Sequence, residues 1–130
     1  MVIDSSAIVA VLFNEPDAWK YANAIERAAD PHVSVASYLE AAIVIGNRGD
    51  ADARCAFEDL FREARIALEP VAIEQILIAR EAHRQFGKGR HPAGLNFGDC
   101  FSYALAKALN KPLLFKGDDF PQTDVASAIS

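Results

Sequence analysis

Apolar residues follow two alternating patterns along this chain, and the alternation predicts its secondary structure. Short runs rich in valine, isoleucine and leucine are typical of buried strands. Longer stretches with apolar residues three or four positions apart are typical of helices that bury one face. The short runs predict strands at residues 2–3, 32–36, 66–68 and 113–115, with a last strand near residues 123–125.

Helices are predicted between these runs, and local signals mark most of their ends. Ser5 or Ser6 is the expected cap of a helix over residues 7–13, and Asp50 is the expected cap of a later helix. Pro16 is the expected first residue of the second helix, because proline fits the first helical turn. Further helices are predicted at residues 37–45, closed by Gly46, at 73–86, closed by Gly87, and at 98–109.

Strands that alternate with helices predict an α/β fold with a mainly parallel sheet of four or five strands. The length suits one domain, and we expect a single domain over residues 1–130. In sheets of this kind, ligands bind beyond the carboxyl ends of the strands. We therefore expect the functional residues at that edge of the sheet.

The composition narrows the setting and the partners of the protein. An apolar share of 52% supports a packed core, and no apolar run reaches the length of a membrane span. Thirteen basic and eighteen acidic residues give a formal charge of −5, the wrong sign for coating nucleic acid. Cys55 and Cys100 match no zinc spacing or secreted disulfide framework, so we expect a reduced, cytoplasmic location.

Acidic residues stand at the ends of predicted strands and at the starts of predicted helices. They are Asp4, Glu40, Asp99, Asp118 and Asp119. Because the carboxyl ends of parallel strands meet at one edge, we expect these carboxylates to lie close together. Such carboxylates repel one another unless some are protonated or a divalent cation binds between them. The pattern therefore predicts a metal-dependent phosphodiester chemistry.

Each acidic residue also has a local structural explanation, and the residues alone leave both explanations open. Asp4 is suited to cap a helix, and Ser37-x-x-Glu40 is the pattern of a capping box. Asp99 is stabilised by about 0.3–1 kcal/mol at the positive end of a helix dipole. The two neighbouring aspartates near the C-terminus are suited to a turn.

The ordered set of acidic motifs resembles the PIN-domain ribonucleases, and within them the toxin halves of VapBC toxin–antitoxin pairs. The resemblance covers essentially the whole chain, and it implies a three-layer α/β/α fold around a central parallel sheet. Its motifs are Met1-Val2-Ile3-Asp4-Ser5-Ser6-Ala7, Ser37-Tyr38-Leu39-Glu40, Leu95-Asn96-Phe97-Gly98-Asp99-Cys100 and Leu114-Phe115-Lys116-Gly117-Asp118-Asp119-Phe120.

The resemblance implies roles for individual residues of this chain. Asp4, Glu40 and Asp99 are expected to bind Mg²⁺ or Mn²⁺ as catalytic residues. The last motif is expected to supply a fourth acid. Asp119 fits the toxin-type Lys-Gly-x-Asp-Phe pattern, while Asp118 is the alternative metal ligand.

Polar residues beside the acids are expected to line the substrate. Ser6 matches a polar residue that lines such sites in the family. Arg90 and His91 belong to the local positive cluster of the chain, together with Arg84 and Lys88. This segment is either a strip that contacts phosphates or a solvated, flexible loop.

The function implied by the resemblance is that of a Mg²⁺-dependent endoribonuclease, the toxin component of a type II toxin–antitoxin pair. We expect it to hydrolyse phosphodiester bonds in single-stranded or looped RNA and to leave a 5′-phosphate. The resemblance also implies a homodimer and a cognate VapB-type antitoxin whose C-terminal segment covers the acidic groove.

Two other functions compete with this interpretation. A phosphatase with Asp4 as nucleophile generally needs a second aspartate two residues later, and Ser6 occupies that position here. A catalytically inactive PIN-like binding module would keep the fold without turnover. Loss of metal-dependent cleavage in Asp4→Asn and Asp99→Asn proteins that still fold would exclude the second alternative.

Overall fold

The structure is a computed structural model, and it describes residues 1–129. Short parallel strands alternate with helices along the chain, as the sequence predicts. The strands are β1 (Val2–Ile3), β2 (His32–Ser34), β3 (Ala67–Glu69) and β4 (Leu113–Leu114). The helices are α1 (Ser5–Leu12), α2 (Ala18–Arg27), α3 (Val35–Arg48), α4 (Ala51–Glu63), α5 (Ile73–Phe86) and α6 (Phe97–Leu109), with a short 3₁₀ helix at Phe120–Gln122.

The four strands form one parallel sheet in the order β3-β2-β1-β4. Val2 lies opposite His32 on one side and opposite Leu113 on the other, which places the two-residue strand β1 inside the sheet. All strands run the same way, so their carboxyl ends lie at one edge. The first and last strands therefore deliver the residues that follow them to neighbouring positions.

Helices cover both faces of the sheet, because alternate strand residues point to opposite sides. Ile3 and Leu114 pack into a core with residues of α1 to α4. Val2 and Leu113 pack into a second core with residues of α5 and α6. The predicted three-layer α/β/α architecture with a parallel four-stranded sheet is thus confirmed.

The first helix begins one residue after β1, which corrects the predicted cap. Asp4 itself is the N-cap of α1, and its side chain accepts the Ser6 N–H at 3.0 Å. Neither Ser5 nor Ser6 caps the helix, because both already lie in its first turn. Pro16 is likewise not the first residue of α2, which begins at Ala18 after a turn.

The start of α3 differs more from the prediction. The strand β2 stops at Ser34, which caps α3 by accepting the Ala36 N–H at 3.3 Å. The predicted capping box of Ser37 and Glu40 is therefore wrong, since Ser37 lies inside the helix with its side chain buried. Gly46 does not close α3 either, because the helix continues through it to the end of its fourth turn.

Other boundaries agree with the sequence, but the last predicted strand does not. Asp50 caps α4, and Gly87 follows the end of α5. Residues 123–125 form no strand, because the Thr123 hydroxyl binds the Phe120 carbonyl at 2.7 Å and turns the chain. A single bridge, between Leu113 and Ser127, follows. No helix within residues 1–129 is both long enough and apolar enough to cross a bilayer.

Two isoleucines of α3 test where the core lies. Ile45 is 1% exposed, whereas Ile43 on the same helix is 53% exposed. We expect Ile45→Ala to lower the free energy of unfolding by about 2–5 kcal/mol, because it leaves a cavity. In protein dilute enough to be monomeric, the matched variant Ile43→Ala should change it by less than about 0.5 kcal/mol. Urea unfolding measures both, and equal losses would contradict the described packing.

Candidate active site

Asp4 occupies the centre of the carboxyl edge of the sheet. It follows β1 directly, its backbone N–H donates to the Leu114 carbonyl at 2.9 Å, and its side chain is 2% exposed. It also caps α1, so the structural explanation for this residue holds at the same time as any functional one. A carboxylate in such a place needs hydrogen-bond donors, because burial away from water penalises its charge.

Two serine hydroxyls and one backbone amide supply those donors. Asp4 Oδ2 accepts the Ser6 N–H at 3.0 Å and the Ser6 Oγ–H at 2.6 Å. Asp4 Oδ1 accepts the Ser102 Oγ–H at 2.6 Å. The Ser6 hydroxyl in turn accepts the backbone N–H of Lys116 at 3.0 Å, which ties the segment after β4 to this carboxylate.

Glu40 reaches the same edge from α3. Its Oε1 accepts the Ser5 Oγ–H at 2.7 Å, so neighbouring serines of α1 hold Glu40 and Asp4. Its carboxylate also lies against Gly98 at the start of α6. A Cβ placed on Gly98 would lie 2.3 Å from Glu40 Oε2, so any other residue at this position would displace the end of the Glu40 side chain.

Asp99 stands in the first turn of α6, where it completes a capping box. Its Oδ2 accepts the Asn96 N–H at 3.1 Å, and its own N–H donates to Asn96 Oδ1 at 2.9 Å. Burial, followed by the nearby charges of Asp4 and Asp119, raises the Asp99 pKa to about 7. Asp99 therefore holds a proton over much of the range in which an ordinary aspartate is ionised.

Only one of the two neighbouring aspartates lies beside Asp99. Asp119 is half-buried, and its charge lies close enough to Asp99 to help raise the Asp99 pKa. Asp118 is exposed and faces a groove that Lys20 and Lys116 also line. The turn at Gly117, with φ of +118°, precedes the two residues. We refer to Asp4, Glu40, Asp99 and Asp119 as the acidic cluster.

The acidic cluster has no cationic partner among residues 1–129. Lys116 lies next to the cluster through its backbone, but its ammonium pairs with Glu15 and with Asp17. The opposite edge of the sheet is different. There Lys111 Nζ lies 2.7 Å from Asp30 Oδ2. Hydrogen bonds from Lys111 and, second, from His32 lower the Asp30 pKa to about 2. Carboxyl groups at the two edges are thus shifted in opposite directions.

Within residues 1–129, no three acidic, histidine or cysteine side chains form a ready ligand set for one metal ion. The carboxylates of Asp4, Glu40 and Asp99 bind hydroxyls and backbone amides instead. Their chemistry nevertheless fits Mg²⁺ or Mn²⁺, since all four offer oxygen ligands and their negative charge is uncompensated. Binding of an ion would require some of these carboxylates to turn toward it.

The basic residues before Asp99, among them Arg90 and His91, make contacts away from the acidic cluster. His91 Nδ1 accepts the Ala93 N–H at 3.0 Å, and its ring packs edge-on against Phe86. Arg90 lines a groove along α5 together with Arg80. No hydrogen bond or ion pair within residues 1–129 joins Arg90 or His91 to the acidic cluster. Both therefore stay predictions as substrate-lining residues.

Two residues at this edge carry no role in the sequence interpretation. Gly98 lies within a recognised motif, and the structure places it against the end of the Glu40 side chain. Ser102 follows Asp99 by three residues and hence lies on the same face of α6. That spacing was the available signal for Ser102, although a buried serine in a helix is also common without any function.

A profile of the PIN domain family matches residues 1–126 of the chain. Curated relatives are similar over nearly their whole length. Ribonuclease VapC28 of Mycobacterium tuberculosis is 48% identical over 130 residues, covering 99% of this chain and 98% of that protein. Ribonuclease VapC30 of the same species is 49% identical, with 98% and 97% covered. Ribonuclease VapC of Mycolicibacterium smegmatis is 52% identical, with 98% of each chain covered.

A solved structure is similar in fold. The VapC20 toxin of Mycobacterium tuberculosis, described as a sarcin-ricin loop cleaving toxin, matches with a TM-score of 0.76. The match covers 96% of this chain and 95% of that chain, at 13% sequence identity. At this identity the likeness shows a common fold alone.

The raised pKa of Asp99 predicts how stability depends on pH in metal-free protein. Its folded pKa of about 7 exceeds the ordinary value of 3.8, so the folded chain holds a proton that the unfolded chain has lost between these values. We therefore expect stability to fall as pH rises from about 4 to about 7 and to level off above. Asp99→Asn should remove this component.

Urea unfolding of the wild type and of Asp99→Asn between pH 4 and 8, with EDTA present, measures the difference. Comparison of the two proteins cancels the other titrating groups. An identical pH dependence in both would contradict the raised pKa. Carboxyl carbon NMR of Asp119→Asn provides a second check, because loss of the neighbouring charge should lower the Asp99 pKa.

Proposed function

We propose that this chain, which belongs to the PIN-domain family, is a metal-dependent endoribonuclease and the toxin of a type II toxin–antitoxin pair. The observation that carries the proposal is the acidic cluster, in which the charges of Asp4 and Asp119 lie near Asp99, Glu40 packs against the first turn of α6, and no member has an ion-pair partner among residues 1–129. Relatives at 48–52% identity that are named VapC ribonucleases support the activity. Mg²⁺ or Mn²⁺ is the cation proposed to complete the cluster.

The residues proposed to hold the cation are Asp4, Asp99 and Glu40, with Asp119 in support. All are oxygen donors, and Mg²⁺ prefers one or two carboxylates together with waters and substrate phosphate oxygens. When bound, such an ion lowers the pKa of a coordinated water and polarises the scissile phosphate. Two serine hydroxyls of α1 hold two of these carboxylates in place: Ser6 binds Asp4, and Ser5 binds Glu40.

Asp99 has a second proposed task, which concerns its proton. In the metal-free protein, burial and the nearby charges of Asp4 and Asp119 disfavour the ionised form of Asp99. A pKa of about 7 at Asp99 makes release of that proton easy near neutral pH. Arrival of positive charge would release it, so we expect cation binding to liberate protons.

RNA is the proposed substrate, and its contacts are expected to be local. The net charge of −5 gives no general attraction for a polyanion. The groove along α5 is the exception, because Arg80, Arg84 and Arg90 line it. We propose that single-stranded or looped RNA is bound, because its backbone bends into a narrow site.

The proposed partners are a second copy of the chain and a VapB-type antitoxin. Val35, Leu39 and Ile43 are spaced four residues apart along α3, and all three are exposed. This apolar stripe supports self-association, which is the proposed use of that face. The antitoxin is proposed to cover the acidic groove with a basic side chain, since a guanidinium or ammonium group pairs well with carboxylates.

The phosphatase alternative finds little support in the site. A second acid two residues after Asp4 is missing, and the Ser6 hydroxyl at that position is bound to Asp4 itself. The alternative of an inactive binding module rests on no particular observation, because every acid of the motif is present. Measurement of cleavage separates the two possibilities that remain.

Two neighbouring aspartates give a matched pair for that measurement. We expect Asp119→Asn to lower Mg²⁺- or Mn²⁺-dependent RNA cleavage by at least about 10- to 100-fold, because Asp119 joins the acidic cluster. Asp118→Asn removes the same charge one residue away, on an exposed side chain. It should retain cleavage within a few-fold of the wild type.

Asp4→Asn and Asp99→Asn provide the wider controls, with circular dichroism to verify that each variant folds. Cleavage should vanish in both and in wild-type protein treated with EDTA. Cleavage that survives all three treatments would indicate a contaminating nuclease and would remove the support for this function. A larger effect of Asp118→Asn than of Asp119→Asn would instead refute the assignment of the fourth acid.

A further inference from the structure

Two serines lie buried directly beneath the acidic cluster. Ser37 of α3 is 1% exposed, and Ser102 of α6 is fully buried. Their Oγ atoms are 2.9 Å apart, and Ser102 also contacts Asp4. Buried hydroxyl groups cost free energy unless they are hydrogen-bonded, so this pair forms a small closed network.

The network arises from the same spacing on two helices. Ser37 precedes Glu40 by three residues on α3, and Ser102 follows Asp99 by three residues on α6. Residues three apart share a helix face. Each helix therefore presents one acid and one serine on the same side, and the serines meet where α3 packs against α6.

The hydrogen bonds in this network have a fixed direction. An ionised carboxylate only accepts, so Ser102 must donate its one hydroxyl proton to Asp4 Oδ1, at 2.6 Å. Its contact with Ser37 must then be a bond in which Ser37 donates. The chain of donors thus runs from Ser37 to Ser102 to Asp4. Removal of Ser102 would leave the Ser37 hydroxyl and one Asp4 oxygen without this partner.

The same bonds decide which part of Asp4 remains available. An ionised carboxylate has about four acceptor positions, two on each oxygen. Ser6 fills both positions on Oδ2 with its N–H and its hydroxyl. Ser102 fills one position on Oδ1. One acceptor position is left, and it lies on the oxygen that Ser102 holds.

We propose that Ser102, backed by Ser37, is a positioning residue that sets the direction in which Asp4 Oδ1 offers its remaining lone pair to a divalent cation. The proposal rests on the proposed metal-dependent function of the acidic cluster. Ser102 itself touches neither cation nor substrate. It acts through Asp4, as the groups behind metal ligands do when they fix ligand orientation.

The test is a titration of metal-free protein with Mn²⁺, followed by electron paramagnetic resonance, which needs no catalysis. We expect Ser102→Ala to bind Mn²⁺ about 10- to 100-fold more weakly than the wild type. Ser34→Ala is the matched control, because Ser34 is also 1% exposed but its hydroxyl serves the backbone of α3. This control should bind Mn²⁺ as the wild type does.

Because the hydrogen bonds run in series from Ser37 to Ser102 to Asp4, the Mn²⁺ affinities of Ser37 variants give a second test. Ser37→Ala should weaken Mn²⁺ binding less than Ser102→Ala, and it should add nothing in the Ser102→Ala background, since groups in one network are not additive. Ser102→Cys keeps nearly the same size and a weak donor, so it should fold and bind with intermediate affinity. In RNA cleavage, KM should stay unchanged while kcat falls at low Mn²⁺ and recovers at high Mn²⁺.

Each alternative outcome has a separate meaning. A folded Ser102→Ala or Ser102→Cys protein with wild-type Mn²⁺ affinity would overturn the positioning role and leave the nuclease proposal intact. Equal weakening by Ser34→Ala would attribute the effect to general destabilisation and would also overturn it. A wild-type chain that neither binds Mn²⁺ nor cleaves RNA would overturn both proposals.

Discussion

Negative charge without a counter-charge is the constraint on which the arrangement of this protein depends. Four carboxyl groups lie along the carboxyl edge of the sheet with no ion-pair partner among residues 1–129. Lys116 approaches this edge through its backbone N–H, which binds Ser6, but its ammonium group pairs with Glu15 and Asp17. At the opposite edge, Lys111 and His32 stabilise the ionised form of Asp30. Residues of the same chemical type therefore behave in opposite ways at the two edges. The unpaired edge is held at a cost in stability, which is typical of functional sites.

Hydroxyl groups stabilise these carboxylates, whereas cationic side chains stabilise carboxylates elsewhere in the chain. Ser5 binds Glu40, Ser6 binds one oxygen of Asp4, and Ser102 binds the other. A hydroxyl stabilises a carboxylate without neutralising it, so the acids stay in place while their collective charge remains. A proton at Asp99 relieves part of the repulsion that is left. The cluster is thereby ordered and still attractive to a cation.

Much of this organisation could be predicted from the sequence, because it depends on local pattern. The alternation of strands and helices gave the fold class, and the position of Asp4 after a buried pair placed it at the sheet edge. Asp4 also shows that a helix cap and a site residue need not be alternatives. One side chain accepts the capping amide and still has an acceptor position to spare.

Other features could not be predicted, because they depend on where an element begins. The Ser37-x-x-Glu40 pattern is that of a capping box, yet β2 stops at Ser34 and the helix cap is Ser34, three residues before Ser37. That shift moves Ser37 from a helix cap into the interior. The choice between Asp118 and Asp119 depends in a similar way on the geometry of one turn. A sequence pattern does not fix the residue at which a helix starts or the conformation of a turn.

The absence of a side chain at Gly98 affects how closely the Glu40 carboxylate approaches α6. The first turn of α6 and the carboxylate of Glu40 approach each other through a space that a single methyl group would fill. That methyl would push aside the flexible end of Glu40 and leave every charge of the chain unaltered. The place of the Glu40 carboxylate beside α6 thus depends on the absence of a side chain at residue 98.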